Sequence, residues 1–367
     1  MSAPFSDGQE RFRAGVRAFV ERELQPHAER WERAGRLPRR ALAGCARQGW
    51  MSLGAWEQAV VAEELPRCDS LGLALSVFVQ ANVIVPLIER LGTAAQKAAW
   101  LEPVRRGRMI GALAVTEPDA GSDFSALQTT GRRRPRGLVI DGVKTYVTNA
   151  AAADLLIVGV RTEGEGLAGL SLVVVPRGAR GVRVEPLASL GLATSGMGRI
   201  TFTRSRVPAA NLLGSPGAGF SYILQALDRE RLLGAIAATS WAAYTLDRTM
   251  AWGRRRRAFG RPLTGFQVVR HQIADAAIAL EAARQLNYAT FAKWAAGREA
   301  SKEIAMLKVF SYQAAQAVID RCLQLHGGAG YIGDHWISRF YRDARALTIA
   351  AGTPEVMKDL IAAHLRL

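Results

Sequence analysis

Thiols are scarce in this chain of 367 residues: Cys45, Cys68 and Cys322 are odd in number, widely spaced and form no C-x-x-C pair. That argues against both a disulfide framework and a thiolate-built zinc site. Long apolar runs are also missing. The longest, such as Leu155 to Val160 and Leu172 to Val175, fall far short of the ~20 residues a membrane span needs, so no transmembrane segment is expected. The opening residues MSAPFSDGQERF lack a basic stretch followed by an apolar one, and they lack a small-residue cleavage site. The expected location is cytoplasmic. Acidic residues are outnumbered 32 to 48, which leaves a formal charge of +16. A nucleic-acid surface, a surface that attracts phosphorylated or acidic partners, and a plain bias towards arginine each account for that charge.

What is present is apolar residue in quantity, 49% of the chain against 22% charged, enough for a large core and a length of about two or three domains. Ser6-Asp-Gly-Gln9 has the form of a capping box, and Phe12, Val16, Phe19 and Val20 recur at helical spacing, which predicts a helix ending near Pro26. Helical patterns follow over 38–49, 55–65, 70–92 and 94–106. From 113 the period changes to short β-branched runs, LVIDG, TYVTN, DLLIVGV, LSLVVVP, VRVEPL and RITFTRSRVP, split by Gly, Asp and Pro. After Pro208 the helical period returns over 217–246, 247–258, 266–296, 299–326 and 335–346, and a last helix begins near Pro354. The expected class is α+β: an all-α domain over 1–112, a β-barrel or sandwich over 113–208, and a helical-bundle domain over 209–367. No internal repeat or low-complexity linker interrupts this plan.

The stretch around which the chain is organised is Ala114 to Asp123, AVTEPDAGSD. An apolar strand-like run stops at Thr-Glu-Pro, Pro118 removes an amide donor, and Gly121 permits a bend that leaves the Thr116 and Ser122 hydroxyls and several amides unpaired. Such a turn suits the polar edge of a flat heterocycle. Three further stretches belong with it: KTYVTN at 144–149, RRAFGRPLTGFQ at 256–267, and QLHGGAGY at 324–331 followed by YRDA at 341–344 and AGTPEV at 351–356.

In order and spacing these motifs resemble the acyl-CoA dehydrogenase family over nearly the whole chain. The resemblance implies an acyl-CoA dehydrogenase-like fold with a C-terminal four-helix bundle, and FAD bound between the β-domain and the C-terminal helices. On that pattern Leu113, Val115, Thr116, Gly121 and Ser122 serve the isoalloxazine, and Tyr146 and Thr148 lie against the ring. The family more often carries Trp where Tyr146 stands, yet an aromatic face is kept. Arg256 would meet the FAD pyrophosphate, for which a guanidinium fork is suited, with Phe259 and Gln267 flanking the adenosine. These groups and Gln324, Gly327 and Gly328 come from a neighbouring subunit in the family, which implies a homodimer or homotetramer. Thr353 and Glu355 would complete the flavin contacts, while His326 reads as a structural histidine in a helix-ending turn.

The same resemblance implies removal of a proton from Cα of an acyl thioester and of a hydride from Cβ, which passes to flavin N5. A carboxylate must stand beside the α-proton while hydrogen bonds hold the enolate oxygen. In many members it immediately precedes the Gly-Thr of the last motif; here that position is Ala351, which cannot act as a base. A second arrangement in the family draws the Glu from the helix that opens the C-terminal domain, and this chain has it in Ala226-Leu-Asp-Arg-Glu230-Arg231, as in the isovaleryl-CoA and long-chain types. Glu230 is therefore the expected base, with the Ala351 amide and a ribityl hydroxyl on the thioester oxygen. Ser122, Asp228 and Arg231 would contact the substrate, the last two near its pantetheine or adenine end. The Ala-Ala-Gly-Thr motif leans towards a short or branched acyl group.

After Gln48-Gly-Trp-Met51 the family normally carries a Pro-Glu-Glu-Tyr-Gly-Gly loop, and this chain passes almost directly to Gly54-Ala-Trp-Glu57. The expected activity is dehydrogenation in fatty acid metabolism, with electrons passed to an electron-transfer flavoprotein. An acyl-carrier-protein substrate, whose acidic surface suits the positive charge, is the alternative. A flavin oxidase or monooxygenase and a DNA-associated flavoprotein are the other classes; the branch of the family that binds nucleic acid has an added C-terminal domain absent here.

Overall fold

The computed structural model describes residues 5–162, 164, 166–333 and 335–367. Its first helix, α1 (Asp7–Phe19), starts on the predicted capping box: the Ser6 side chain accepts from the Gln9 amide, and the Gln9 side chain accepts from the Ser6 amide. The helical path does not end at Pro26. A π turn over Val20–Leu24 and a 3-10 turn over Gln25–His27 carry it into α2 (Ala28–Ala34), which Gly35 closes at φ 59°. Pro26 is tolerated because it opens the 3-10 turn, where its missing amide breaks no α-helical bond. Then come α3 (Arg39–Arg47), α4 (Ala55–Glu64), α5 (Leu71–Val79), α6 (Val85–Leu91), α7 (Ala94–Gln96) and α8 (Glu102–Arg105). Between α3 and α4 the path is a 3-10 turn over Trp50–Ser52 with two residues on either side, in keeping with a shortened loop.

Together α5, a π turn and α6 make one path, Leu71–Leu91, that is long and apolar enough by length and composition to cross a membrane. No single apolar run in the sequence had signalled it. Most of it is covered by protein, and its Gln80 side chain both donates to the Gly111 carbonyl at 2.7 Å and accepts from the Gly111 amide at 2.9 Å. This is a core helix, and it ties the helical layer to the sheet.

The sheet contains β1 (Gly111–Ala114), β2 (Thr130–Arg134), β3 (Gly137–Val147), β4 (Leu155–Arg161), β5 (Leu170–Pro176), β6 (Val182–Pro186), β7 (Gly198–Val207) and β8 (Leu212–Leu213). Its order is β6-β7-β3-β2-β4-β5-β8, with β1 parallel to β4. Two predicted strands, LVIDG and TYVTN, are one: β3 keeps pairing with β7 through register shifts between Ile140 and Gly142 and between Lys144 and Val147. The arginine run at 132–134 is a strand as well, paired to β3.

The C-terminal helices are α9 (Gly219–Arg255), α10 (Gln267–Ala295), α11 (Ser301–His326), α12 (Gly328–Tyr331), α13 (Trp336–Ala344) and α14 (Pro354–His364). A small hairpin of β9 (Arg257–Ala258) and β10 (Arg261–Pro262) separates α9 from α10. The predicted segments 217–246 and 247–258 are thus a single helix of 37 residues to Arg255.

One buried ion pair sets the central turn. Lys144 on β3 is fully buried and donates to Glu117 Oε1 at 2.8 Å and to the Val115 carbonyl at 2.7 Å. Glu117 also accepts from the Gln128 and Thr129 amides at 2.7 and 2.8 Å, and the Thr145 amide donates to the Thr116 carbonyl at 2.9 Å. Burial pushes the Glu117 carboxyl up, but Lys144 and these amides outweigh it and hold it below the usual carboxylate value. Burial lowers Lys144 to about 8 against the pull of Glu117. Lys144→Met strands a buried carboxylate and should cost about 3–5 kcal/mol, read by denaturant unfolding; Glu117→Gln added to it should recover part of the loss. A Lys144→Met loss under about 1 kcal/mol would show that the pair does not hold the turn. Because the folded Glu117 value is depressed, its contribution is present above the ordinary carboxylate range and disappears as pH falls through the folded value.

Candidate functional site

Two groups of candidate residues emerge, and the fold assembles each separately. In the first, the Lys144 clamp sets the 114–123 turn against β3. Leu113 is half-buried on β1, Val115 is buried, Thr116 is half-buried, and Gly121 and Ser122 are exposed. Beside them Thr148 is half-buried, and Tyr146 leaves 64% of its surface open at φ 56°. A left-handed tyrosine in a strand is costly; here it falls inside the β3 register shift and turns the ring outward.

The second group is at the far ends of the C-terminal helices. Arg256 caps α9 and is exposed, Phe259 at the tip of the hairpin is 96% exposed at φ 48°, and Gln267 is exposed at the start of α10. Gln324, Gly327 and Gly328 are exposed where α11 ends. Nothing stands within 4 Å of a Cβ placed on Gly327 or Gly328, so their backbone is open to a ligand. Among the described residues no hydrogen bond, ion pair or ring contact joins this group to the 113–148 group. His326 is structural, as the sequence suggests: it is buried, its Nδ1 is 2.8 Å from the Cys322 carbonyl, and its ring stacks on Trp252 at 5.2 Å.

Between helices α5, α9 and α13 runs a cavity of about 120 Å³. Its wall on α9 is Glu230, Gly234, Ala237, Ala238 and Trp241. That spacing keeps all five on one helix face, and the eleven steps from Glu230 to Trp241 rise ~16 Å. Small residues in the middle leave the groove and Trp241 closes it. Leu71, Leu75 and Phe78 face it from α5, and Ala350 and Ala351 border it on the C-terminal side. Glu230 is thus a carboxylate in an apolar cleft. Burial raises it above the ordinary carboxylate value, and the opposing pull of Lys308 and Arg231 does not cancel that.

Ala351 itself adopts φ 56° and Gly352 follows at 104°. Arg231 holds this bend: its Nε donates to the Ala351 carbonyl at 2.8 Å while Nη1 pairs with Asp228 at 3.1 Å. The Ala351 amide donates to no described residue. Arg231 is buried and committed to these two partners, so it braces the turn from within and is not presented at the surface for a nucleotide. Tyr312 donates from its hydroxyl to the Arg231 carbonyl at 3.1 Å. Thr353 caps α14, and Glu355 is exposed in its first turn.

Lys308 was not singled out in the sequence. It is buried on α11, donates to the Leu347 carbonyl at 2.5 Å and sits 3.7 Å over the Tyr312 ring. Burial brings it down to about 7 against the pull of Glu230. A lysine in the buried row with Ile304, Ser311, Tyr312 and Ala315 is the signal that could have found it. Asp343, also on the cavity wall, is raised to about 7 by burial and by Glu32, while the Leu192 amide that donates to it opposes this.

The exposed ring of Tyr146, the open glycine backbone at 327–328 and the exposed Arg256 suit a flat heterocycle carrying phosphates, so the residues present fit a flavin nucleotide. Comparisons with known proteins agree. Models of the acyl-CoA dehydrogenase N-terminal, middle and C-terminal domains match residues 6–108, 112–205 and 217–366. The chain is 31% identical to the mitochondrial long-chain specific acyl-CoA dehydrogenase of Rattus norvegicus, over 98% of this chain and 87% of that one. It is 32% identical to the probable acyl-CoA dehydrogenase YngJ of Bacillus subtilis over the whole of both. Among solved structures, a probable acyl-CoA dehydrogenase from Mycobacterium abscessus superposes with a TM-score of 0.95 at 34% identity, covering 98% of this chain and 99% of that one. Butyryl-CoA dehydrogenase from Megasphaera elsdenii does so at 0.94 and 28% identity over the whole of both. With all three domains matched along nearly its full length, the chain belongs to the acyl-CoA dehydrogenase family, whose members are FAD-binding oxidoreductases.

Proposed function

We propose that this chain dehydrogenates an acyl-CoA at its α,β bond, with Glu230 as the base. One observation carries this reading: Glu230 is a carboxylate raised by burial at the end of an apolar cleft, bordered by a backbone turn whose amide is free. FAD, when bound, supplies the two-electron acceptor. Leu113, Val115, Thr116, Gly121, Ser122, Tyr146, Thr148, Thr353 and Glu355 would hold its flavin end. Arg256, Phe259, Gln267, Gln324, Gly327 and Gly328 of a second copy would hold its nucleotide end. The lack of any contact between the two groups within one chain supports that division, as do the exposed Phe259, Val268, Ile278, Tyr331 and Ile332. A homodimer or homotetramer follows.

Glu230 takes the α-proton, and the Ala351 amide donates to the thioester oxygen as charge gathers there. Arg231 contributes by holding the Ala351 carbonyl, which fixes the direction of that amide. Ser122 and Asp228 would border the thioester and pantetheine. A cavity of about 120 Å³ has room for about four water-sized groups at the ~30 Å³ each takes in the liquid, which favours a short or branched acyl group. We place the protein in the cytoplasm, in fatty acid metabolism, with an electron-transfer flavoprotein as acceptor. In support, one similar solved structure is of the electron-transferring flavoprotein of Acidaminococcus fermentans.

Glu230→Gln should keep FAD and lose on the order of 10²–10⁴ in the rate of flavin reduction by acyl-CoA, measured by anaerobic stopped flow. An unchanged rate would remove Glu230 from the reaction. The base acts deprotonated, so reduction should slow as pH falls through a value above the ordinary carboxylate range. Lys308→Met takes away a cation that favours the carboxylate and should move that acidic limb to higher pH; a limb that stays in place would show that Lys308 does not reach the base.

A further inference from the structure

A second concave site lies on the N-terminal helices, and its lining shares no residue with the Glu230 cavity. It is a cleft of about 700 Å³ at the corner where α2 turns into α3, within the size range of small-molecule sites. Five arginines line it, Arg30, Arg36, Arg39, Arg40 and Arg47, against one acid, Glu23. Arg39 is engaged with Asp154 at 2.6 Å, and Glu23 is engaged outside the cleft with Arg22 at 2.8 Å. Arg30, Arg36, Arg40 and Arg47 make no ion pair or hydrogen bond with any described residue. Several arginines nearby are paired: Arg13 and Arg17 share Glu64, Arg67 joins them there, and Arg33 meets Glu29. Four arginines without a protein partner therefore line one cleft, and their shared positive charge favours an anion there.

The cleft is not merely basic. Trp31 and Phe19 are half-buried in its wall, with His27 at 5.5 Å from the Trp31 ring, and Leu24 and Leu37 form an apolar floor. Guanidinium forks match phosphate oxygens bidentately, and an indole face takes a planar ring by stacking. We propose that this cleft binds a nucleoside diphosphate, its phosphates on Arg30, Arg36, Arg40 and Arg47 and its base against Trp31. The site is independent of the reaction at Glu230.

The test is equilibrium dialysis of the FAD-loaded protein against ADP and, separately, inorganic pyrophosphate, at low and at physiological salt. The expected result is one ADP per chain, held at least about tenfold more tightly than pyrophosphate, weakened at least about tenfold in the Arg36→Glu/Arg40→Glu variant. Flavin reduction by acyl-CoA should be unchanged in that variant. Trp31→Leu should erase the advantage of ADP over pyrophosphate; if it does not fold, the ADP-to-pyrophosphate ratio of the unaltered protein answers the same question. No ADP binding, or binding indifferent to the two arginine changes, would overturn the site. Pyrophosphate bound as tightly as ADP would overturn the nucleoside.

Discussion

The contact between Lys144 and Glu117 is the constraint from which the proposed flavin-facing surface follows. The two are 27 residues apart, Lys144 fully enclosed and Glu117 buried but for a small exposed edge. A buried pair is weak as a source of stability, because desolvation offsets attraction, but it is strongly directional: either partner alone is costly. Glu117 takes three donors and Lys144 two acceptors, so the turn from Val115 to Ala120 can dock on β3 in one way only. That docking frees the Ser122 end of the turn and, one residue beyond the next backbone bond, sets Tyr146 outward.

A second polar brace does for the substrate side what the first does for the cofactor side. Arg231 sits inside the protein and reaches the carbonyl of Ala351, a residue held in a conformation that side chains seldom adopt. The amide on the other side of that residue is left without a partner. Glu230, next to Arg231 in sequence, faces the same cleft. One stretch of α9 therefore presents the carboxylate and steers the amide, and the raised value of Glu230 shows burial prevailing over two neighbouring cations.

Much of this was legible in the residues. The change of period near 113 and again after Pro208 marks the sheet, the Ser6 capping box starts the first helix, and the absence of an acid at Ala351 together with Glu230 on α9 is what directs the proposal to Glu230. What was not legible has physical causes. Pro26 reads as a stop, yet a π turn ahead of it removes the clash. Arg132 to Arg134 carried no strand signal, because three consecutive charges show no apolar alternation, yet they pair with β3 with all three residues exposed. The unbroken run of α9 past residue 246 was hidden because a helix in a bundle is held by its neighbours more than by its own periodicity. Partners distant in sequence, Glu117 with Lys144 and Glu230 with Lys308, have no local signal beyond a charge in an apolar row.

The central claim is that the Glu230 cavity accepts the acyl chain of a coenzyme A ester and that the chain is oxidised there. The most direct measurement is an anaerobic titration of the FAD-loaded protein with short, branched, medium and long acyl-CoAs, following flavin absorbance. The oxidised band should bleach with one or more short or branched esters, and with no acyl chain much longer than the cavity. Full retention of the oxidised band with every ester, with FAD bound throughout, would contradict it.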